Sequence, residues 1–211
     1  MNKIARELIW ISGTAIYQHW FELECFGREN LPQNKGYIIA SNHTSHLDAP
    51  AIIAAQGQHL DRIYSLAAQD YFFNNPLKSW LCHNWFNMIP FKRRGKFLDC
   101  LPACQEIIKQ HKSILFFPEG TRSVTGALQP FKLGIGILAM KLNVPIIPAY
   151  VRGTYEAMPK DKHFPKKFPV RVTFGFPLEF DRDRLSNNSI SDRIIYQNIV
   201  RDVYAAVQKL K

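Results

Sequence analysis

The chain lacks a run of about 20 consecutive apolar residues, the length a helix needs to cross a bilayer. Its longest uncharged stretch, Leu8 to Phe21, is 14 residues long and carries Ser12, Gly13, Thr14, Gln18 and His19. No small-residue cleavage site clearly follows it, so both a spanning segment and a secretory leader are disfavoured. Acidic residues are scarce, with 17 Asp+Glu against 27 Lys+Arg and a formal net charge of +10. Cysteines are few (Cys25, Cys82, Cys100, Cys104), and the one close pair is spaced C-x3-C in a stretch that reads as helix. That pattern matches neither a disulfide framework nor a tetrahedral metal box, and the expectation is reduced thiols. No internal repeat, no low-complexity segment, no G-x-S-x-G elbow and no G-x-x-x-x-G-K-[ST] loop occurs. Solenoids, disordered linkers, serine hydrolases of the elbow type and P-loop nucleotide enzymes are thereby set aside.

What is present is the material for a core. In 211 residues, 46% are apolar and 13% aromatic, enough to bury one globular domain and too much for a polybasic tail. The positive charge favours an anionic partner, whether nucleic acid, a lipid headgroup surface or a phosphorylated substrate, and does not choose among them. From residue 35 onward, short apolar runs alternate with helical patterns. Residues 37–41, 63–68, 88–91, 113–118, 145–151 and 171–176 read as strands, most of them near-continuously apolar and so buried on both faces. Helical periodicity falls at 49–56, 76–86, 97–110 and 131–142, and in a C-terminal helix opened by a capping box at Ser189 and Asp192. The fold class expected is α/β: a central, largely parallel or mixed β-sheet flanked by helices. Residues 1–24 form an N-terminal helical segment with Ile4, Leu8, Ile11 and Ala15 on one stripe, amid Trp10, Tyr17, Trp20 and Phe21. It reads equally as an ordinary packed helix and as one lying in a membrane interface. Residues 25–211 form the main domain.

In such sheets the chemistry gathers where strands end, and there the unusual residues fall. After the first strand comes Asn42-His43-Thr44-Ser45-His46-Leu47-Asp48; after others come residues 92–96 (KRRGK), 119–123 (EGTRS) and 152–160 (RGTYEAMPK). Four residues separate His43 from Asp48, a spacing that lets a turn set a carboxylate against an imidazole and so favour a general base. His43, His46 and Asp48 also read as a facial metal set, with Glu119 as a distant further ligand, although no second cluster supports it. Lys92, Arg93, Arg94 and Lys96 read as a solvated basic face or, with Arg122, as a grip on phosphate oxygens, for which arginine forks are suited.

The set of blocks resembles the glycerolipid acyltransferase family. That family's NHxSxxD block is matched by Asn42 to Asp48 and its arginine-ending second block by Ile89-Pro90-Phe91-Lys92-Arg93. Its FPEGTRS block is matched by Phe117 to Ser123, and its apolar fourth block by Val144 to Pro148. The second block departs from the pattern: Asn87 stands where glycine is common and Lys92 where an acidic residue is common. The resemblance implies His43 as general base and Asp48 as its orienting partner. It implies Arg93 and Arg122 as phosphate ligands, with Glu119, Gly120, Thr121 and Lys132 shaping the same pocket. The reaction implied moves a fatty acyl group from acyl-CoA or acyl-carrier protein to the sn-2 hydroxyl of 1-acyl-sn-glycerol-3-phosphate, without a covalent acyl-enzyme. Glycerol-3-phosphate or another lysophospholipid is the alternative acceptor. A metal-dependent hydrolase and a noncatalytic module for nucleic acid or anionic membrane are the rival classes. No metal or cofactor is implied beyond the acyl donor. The partners expected are the lysophospholipid, the donor and an anionic membrane, with no nucleic acid. The expected location is peripheral or monotopic on the cytoplasmic face of a membrane, with residues 163–169 (HFPKKFP) as a second contact.

Overall fold

The computed structural model describes residues 3–57, 60–92, 97–180 and 191–211. Helix α1 (Lys3–His19) leads into an edge strand β1 (Glu24–Phe26), then β2 (Tyr37–Ser41), α2 (Asp48–Gln56) and β3 (Ile63–Ala68). Next come α3 (Gln69–Phe72), α4 (Pro76–Asn84), β4 (Met88–Phe91), α5 (Leu101–Lys109) and β5 (Ser113–Phe116). Then follow α6 (Gly134–Leu142), β6 (Ile146–Arg152), α7 (Thr154–Ala157), β7 (Arg171–Phe174) and α8 (Asp192–Gln208).

The strands make one seven-stranded sheet in the order β1-β7-β6-β2-β5-β3-β4. Strands β4, β3, β5, β2 and β6 run parallel, whereas β7 is antiparallel to β6 and carries β1 alongside it in its own direction. Thus β2 lies at the centre with every residue buried. Its alternating side chains feed two cores. Ile38 and Ala40 join the layer beneath α5, α6 and α8, while Tyr37 and Ile39 join the layer beneath α1 and α2. A strand covered on both faces needs no polar residue until it ends, which is why 37–40 are uniformly apolar.

Most expected elements appear near their expected bounds. The helix expected over 131–142 begins at Gly134, and ahead of it the Lys132 N–H donates to the Pro118 carbonyl at 2.9 Å. The helix expected over 97–110 opens with a tighter turn, Phe97–Cys100, and becomes α-helical at Leu101 with Pro102 in its first turn, where proline's missing N–H costs nothing. Of the C-terminal capping box, Ser189 lies outside the described residues; Ser191 precedes α8 there. All four cysteines are free thiols.

Helix α1 is apolar on two faces. Tyr17 and Phe21 are buried in the core beneath α2, each burial contributing about 1.5–3 kcal/mol. On the other side Ile4 is 67% exposed and Leu8 61%, with Ile9, Ile11, Ile16 and Trp20 also exposed. The stripe expected from Ile4, Leu8 and Ile11 therefore faces away from the protein. No helix among the described residues is long and apolar enough to cross a membrane.

Candidate active site

The turn that leaves β2 carries the densest polar network among the described residues. At its start, the Asn42 side chain continues the sheet after the backbone has turned away. Its Nδ2 donates to the Val151 carbonyl at 2.9 Å and its Oδ1 accepts the Val151 N–H at 2.7 Å. Asp48, the first residue of α2, is 0% exposed and folds back over the turn. Its Oδ2 accepts from the Thr44 N–H at 2.7 Å, the Ser45 N–H at 2.8 Å and His43 Nδ1 at 2.8 Å. A buried carboxylate so supplied with donors is the arrangement that makes its burial tolerable. Because His43 Nδ1 donates to Asp48, Nε2 carries the lone pair. The ring stacks on Phe117, with centroids 4.0 Å apart and planes inclined by 16°.

The EGTRS turn holds the same residue from the other side. Glu119 Oε1 accepts the His43 N–H at 2.8 Å, and the Ser123 N–H donates to the His43 carbonyl at 2.8 Å. The first and last residues of that turn therefore clamp the His43 backbone. Burial pushes the Glu119 carboxyl up to about 7, against the lowering effect of the His43 N–H. Between the clamps the backbone bends through Gly120 at φ 74°, a left-handed conformation where a Cβ would lie 2.8 Å from Lys132 Nζ. Glycine thus lets the ammonium of Lys132 come down onto the turn.

Two cavities meet at Gly120 and Thr121. One, of about 450 Å³, carries His43, His46, Arg122 and Lys160 among a mainly apolar lining that includes Phe86 and Phe91. The other, of about 810 Å³, is of mixed lining and includes Lys92, Lys132, Asp70, Asn74 and Phe73. Lys92 shares Asp99 at 3.3 Å. Lys160 Nζ reaches Thr121 Oγ1 and the Arg122 carbonyl, each at 3.4 Å, and so adds a cation at the junction.

Of the residues expected from the sequence, His43, Asp48, Glu119, Gly120, Thr121, Arg122 and Lys132 converge here, and Arg93 lies outside the described residues. The trio His43, His46 and Asp48 does not converge as a ligand set. His43 turns its Nδ1 to Asp48, while His46 Nε2 faces the Tyr71 hydroxyl at 3.1 Å and its ring stacks on Tyr71. Burial, aided by the charge of Arg122, lowers His46 to about 4, so it is neutral near pH 7. Among the described residues no group of three or more His, Cys, Asp or Glu is arranged to hold a metal ion. Sequence reasoning missed Thr154, whose hydroxyl donates to Asp48 Oδ1, and Lys160. The block 152–160 had stood out by its position after a strand, but its roles depend on contacts more than 30 residues away.

The α/β domain thus carries a histidine–carboxylate pair at the exit of β2, the central strand of its seven-stranded sheet, beside a mainly apolar cavity and a second cavity that holds Lys92 and Lys132. The family model for Acyltransferase matches residues 22–152, and the chain belongs to that family. It is 34% identical over 154 residues to the chloroplastic 1-acyl-sn-glycerol-3-phosphate acyltransferase BAT2 of Brassica napus, covering 72% of this chain and 42% of that protein. It is 31% identical over 165 residues to 1-acyl-sn-glycerol-3-phosphate acyltransferase alpha of Mus musculus, covering 75% of this chain and 56% of that protein. The chain thus spans about half the length of these curated relatives or less. The crystal structure of the 1-acyl-sn-glycerophosphate acyltransferase PlsC from Thermotoga maritima has the same fold. Its TM-score is 0.69 at 22% identity, covering 99% of this chain and 82% of that one.

Proposed function

We propose that the chain transfers a fatty acyl group from acyl-CoA or acyl-carrier protein to the sn-2 hydroxyl of 1-acyl-sn-glycerol-3-phosphate, yielding phosphatidic acid. The observation that carries this reading is the placement of His43 in a mainly apolar cavity that shares Gly120 and Thr121 with a second cavity holding Lys92 and Lys132. A thioester's hydrocarbon suits the first, the acceptor's phosphate suits the second, and the reacting atoms belong at their junction. The names of the curated relatives point to the same acceptor.

In this reading the His43 Nε2 accepts the proton of the acceptor hydroxyl as its oxygen attacks the thioester carbonyl, forming the C–O bond. Asp48 holds the ring and stabilises the imidazolium. Collapse of the tetrahedral intermediate breaks the C–S bond, and the departing thiolate takes the proton back from His43. No protein nucleophile is acylated. Arg122 and Lys132, with Lys160 beside them and Arg93 by family resemblance, hold the acceptor phosphate; Glu119, Gly120 and Thr121 shape the turn beneath it. No metal or other cofactor takes part in these steps.

The outward face of α1, with Ile4, Leu8 and Ile11, and Trp20 just past the helix end serve as the contact with an anionic bilayer at the cytoplasmic face of a membrane. Residues 163–169 form the second contact: Lys167 pairs with Glu22, just past the C-terminal end of α1, at 2.8 Å, and Phe164 is 88% exposed.

Acyl-CoA supplied with either 1-acyl-sn-glycerol-3-phosphate or glycerol-3-phosphate tests the acceptor. Phosphatidic acid from the former at the higher kcat/KM is expected, and preference for glycerol-3-phosphate would overturn it.

A further inference from the structure

The strand β6 and the segment after it run beside the histidine–aspartate turn and touch it at successive points. Asn42 pairs with both backbone groups of Val151; the Thr154 hydroxyl donates to Asp48 Oδ1; and the Ser45 hydroxyl donates to the Met158 carbonyl at 2.6 Å. Thr154 is brought there by Gly153, which turns the chain at φ 92° so close to the Pro169 carbonyl that a Cβ would sit 2.0 Å from its oxygen. Thr154 is 0% exposed, as is Asp48.

The division of labour around Asp48 is uneven. Oδ2 takes the bonds from His43, Thr44 and Ser45, all within its own turn. Oδ1 receives Thr154 and, among the described residues, otherwise only a long contact of 3.5 Å from the Thr44 hydroxyl. The Thr44 and Thr154 hydroxyl oxygens are 3.2 Å apart, so with the Thr154 proton directed at Asp48, the Thr44 hydroxyl donates to Thr154. A carboxylate held on one oxygen alone is free to pivot about that oxygen. Such pivoting would swing the oxygen that orients the imidazole, and with it Nε2. A donor on the second oxygen, fixed to a different strand, stops it.

We propose that Thr154 is a positioning residue of the acyl-transfer site, fixing the Asp48 carboxylate and through it the direction of the His43 ring. Thr154 lines neither of the two cavities that share Gly120 and Thr121. The claim rests on the acyl-transfer reading, and its effect belongs to turnover rather than to binding.

The test is steady-state thiol release from acyl-CoA with 1-acyl-sn-glycerol-3-phosphate, on wild type, Thr154→Val and Thr154→Ser. A bond to a charged group is lost in Thr154→Val at nearly constant volume, so kcat should fall about 10- to 150-fold, with both KM values within about twofold of wild type. Thr154→Ser retains the donor and should recover kcat to within about threefold. Should Thr154→Val not fold, Thr154→Ala read against Thr154→Ser isolates the hydroxyl, since both lack the methyl. Equal kcat in the hydroxyl-bearing and hydroxyl-lacking variants would overturn the assignment, as would a loss that Thr154→Ser does not recover. No transfer by wild type would overturn the acyl-transfer reading itself, whereas transfer that Thr154→Val leaves intact overturns only the role of Thr154.

Discussion

The histidine–aspartate turn and the cationic junction beside it sit at the ends of adjacent strands, yet they are held in opposite ways. Asp48 is fully buried and accepts from two backbone N–H groups, an imidazole and a threonine hydroxyl, while the His43 backbone is clamped by Glu119 and Ser123. Lys160 is exposed and meets its oxygen partners only at 3.4 Å, and Lys132 rests over the Gly120 turn. The first set is fixed by bonds within the protein, whereas the second is loosely held, as the proposed grip on an acceptor phosphate requires. Fixed groups should control the rate of the chemical step, and loosely held cations the affinity for the acceptor.

Asp48→Asn is the harshest way to break that contrast. The amide cannot offer acceptors to every N–H now served by Oδ2, and it does not orient the imidazole as a carboxylate does. Turnover should fall on the order of 10²- to 10⁴-fold with acceptor KM nearly unchanged, measured by steady-state transfer. A comparable rise in KM would dissolve the distinction between the two regions. Next in size, Arg122→Ala should raise acceptor KM about 10- to 150-fold while leaving kcat within a few-fold. A salt titration sharpens the point, because the wild-type KM should rise with ionic strength and that of Arg122→Ala should rise less.

The smallest effect is one of stability. Folding raises the Glu119 carboxyl from 4.5 to about 7, so the folded chain binds that proton more tightly than the unfolded chain does. Its contribution is fully present below about pH 4.5 and is lost as pH rises through about 7. Glu119→Gln keeps the side-chain oxygen that accepts the His43 N–H but carries no charge. It should be more stable than wild type by about 1–3 kcal/mol at pH 8, with the difference closing near pH 4.5. Denaturant melts at the two pH values measure this; a gap independent of pH would exclude the buried carboxylate as its source.

Much of this contrast was legible in the sequence. The strands at 37–41, 63–68 and 88–91 stand at those bounds; for 37–41, buried throughout, the reason is that a strand covered on both faces writes itself as an unbroken apolar run. The edge strand Glu24–Phe26 was not legible: three residues with an exposed, half-buried, exposed pattern carry no such signal. For α1, periodicity identified an apolar stripe but not its direction, since a helix with apolar groups on two sides has two candidate inner faces, and Tyr17 occupies the buried one, with Phe21 buried just past the helix end. The pairing of His43 with Asp48 followed from local spacing. Thr154 did not, because it meets Asp48 across 106 residues of chain and only the parallel pairing of β2 with β6 brings them together.

The central claim is that His43 removes the acceptor's proton while the surrounding groups bind and align. Phosphatidic acid formation from acyl-CoA and 1-acyl-sn-glycerol-3-phosphate by wild type and His43→Ala, at saturating concentrations of both, tests it most directly. The account predicts a fall in kcat of about 10²- to 10⁴-fold in a variant that still binds the lysophospholipid. A His43→Ala protein that keeps more than about half of the wild-type turnover, far above the loss expected for a missing general base, would contradict it.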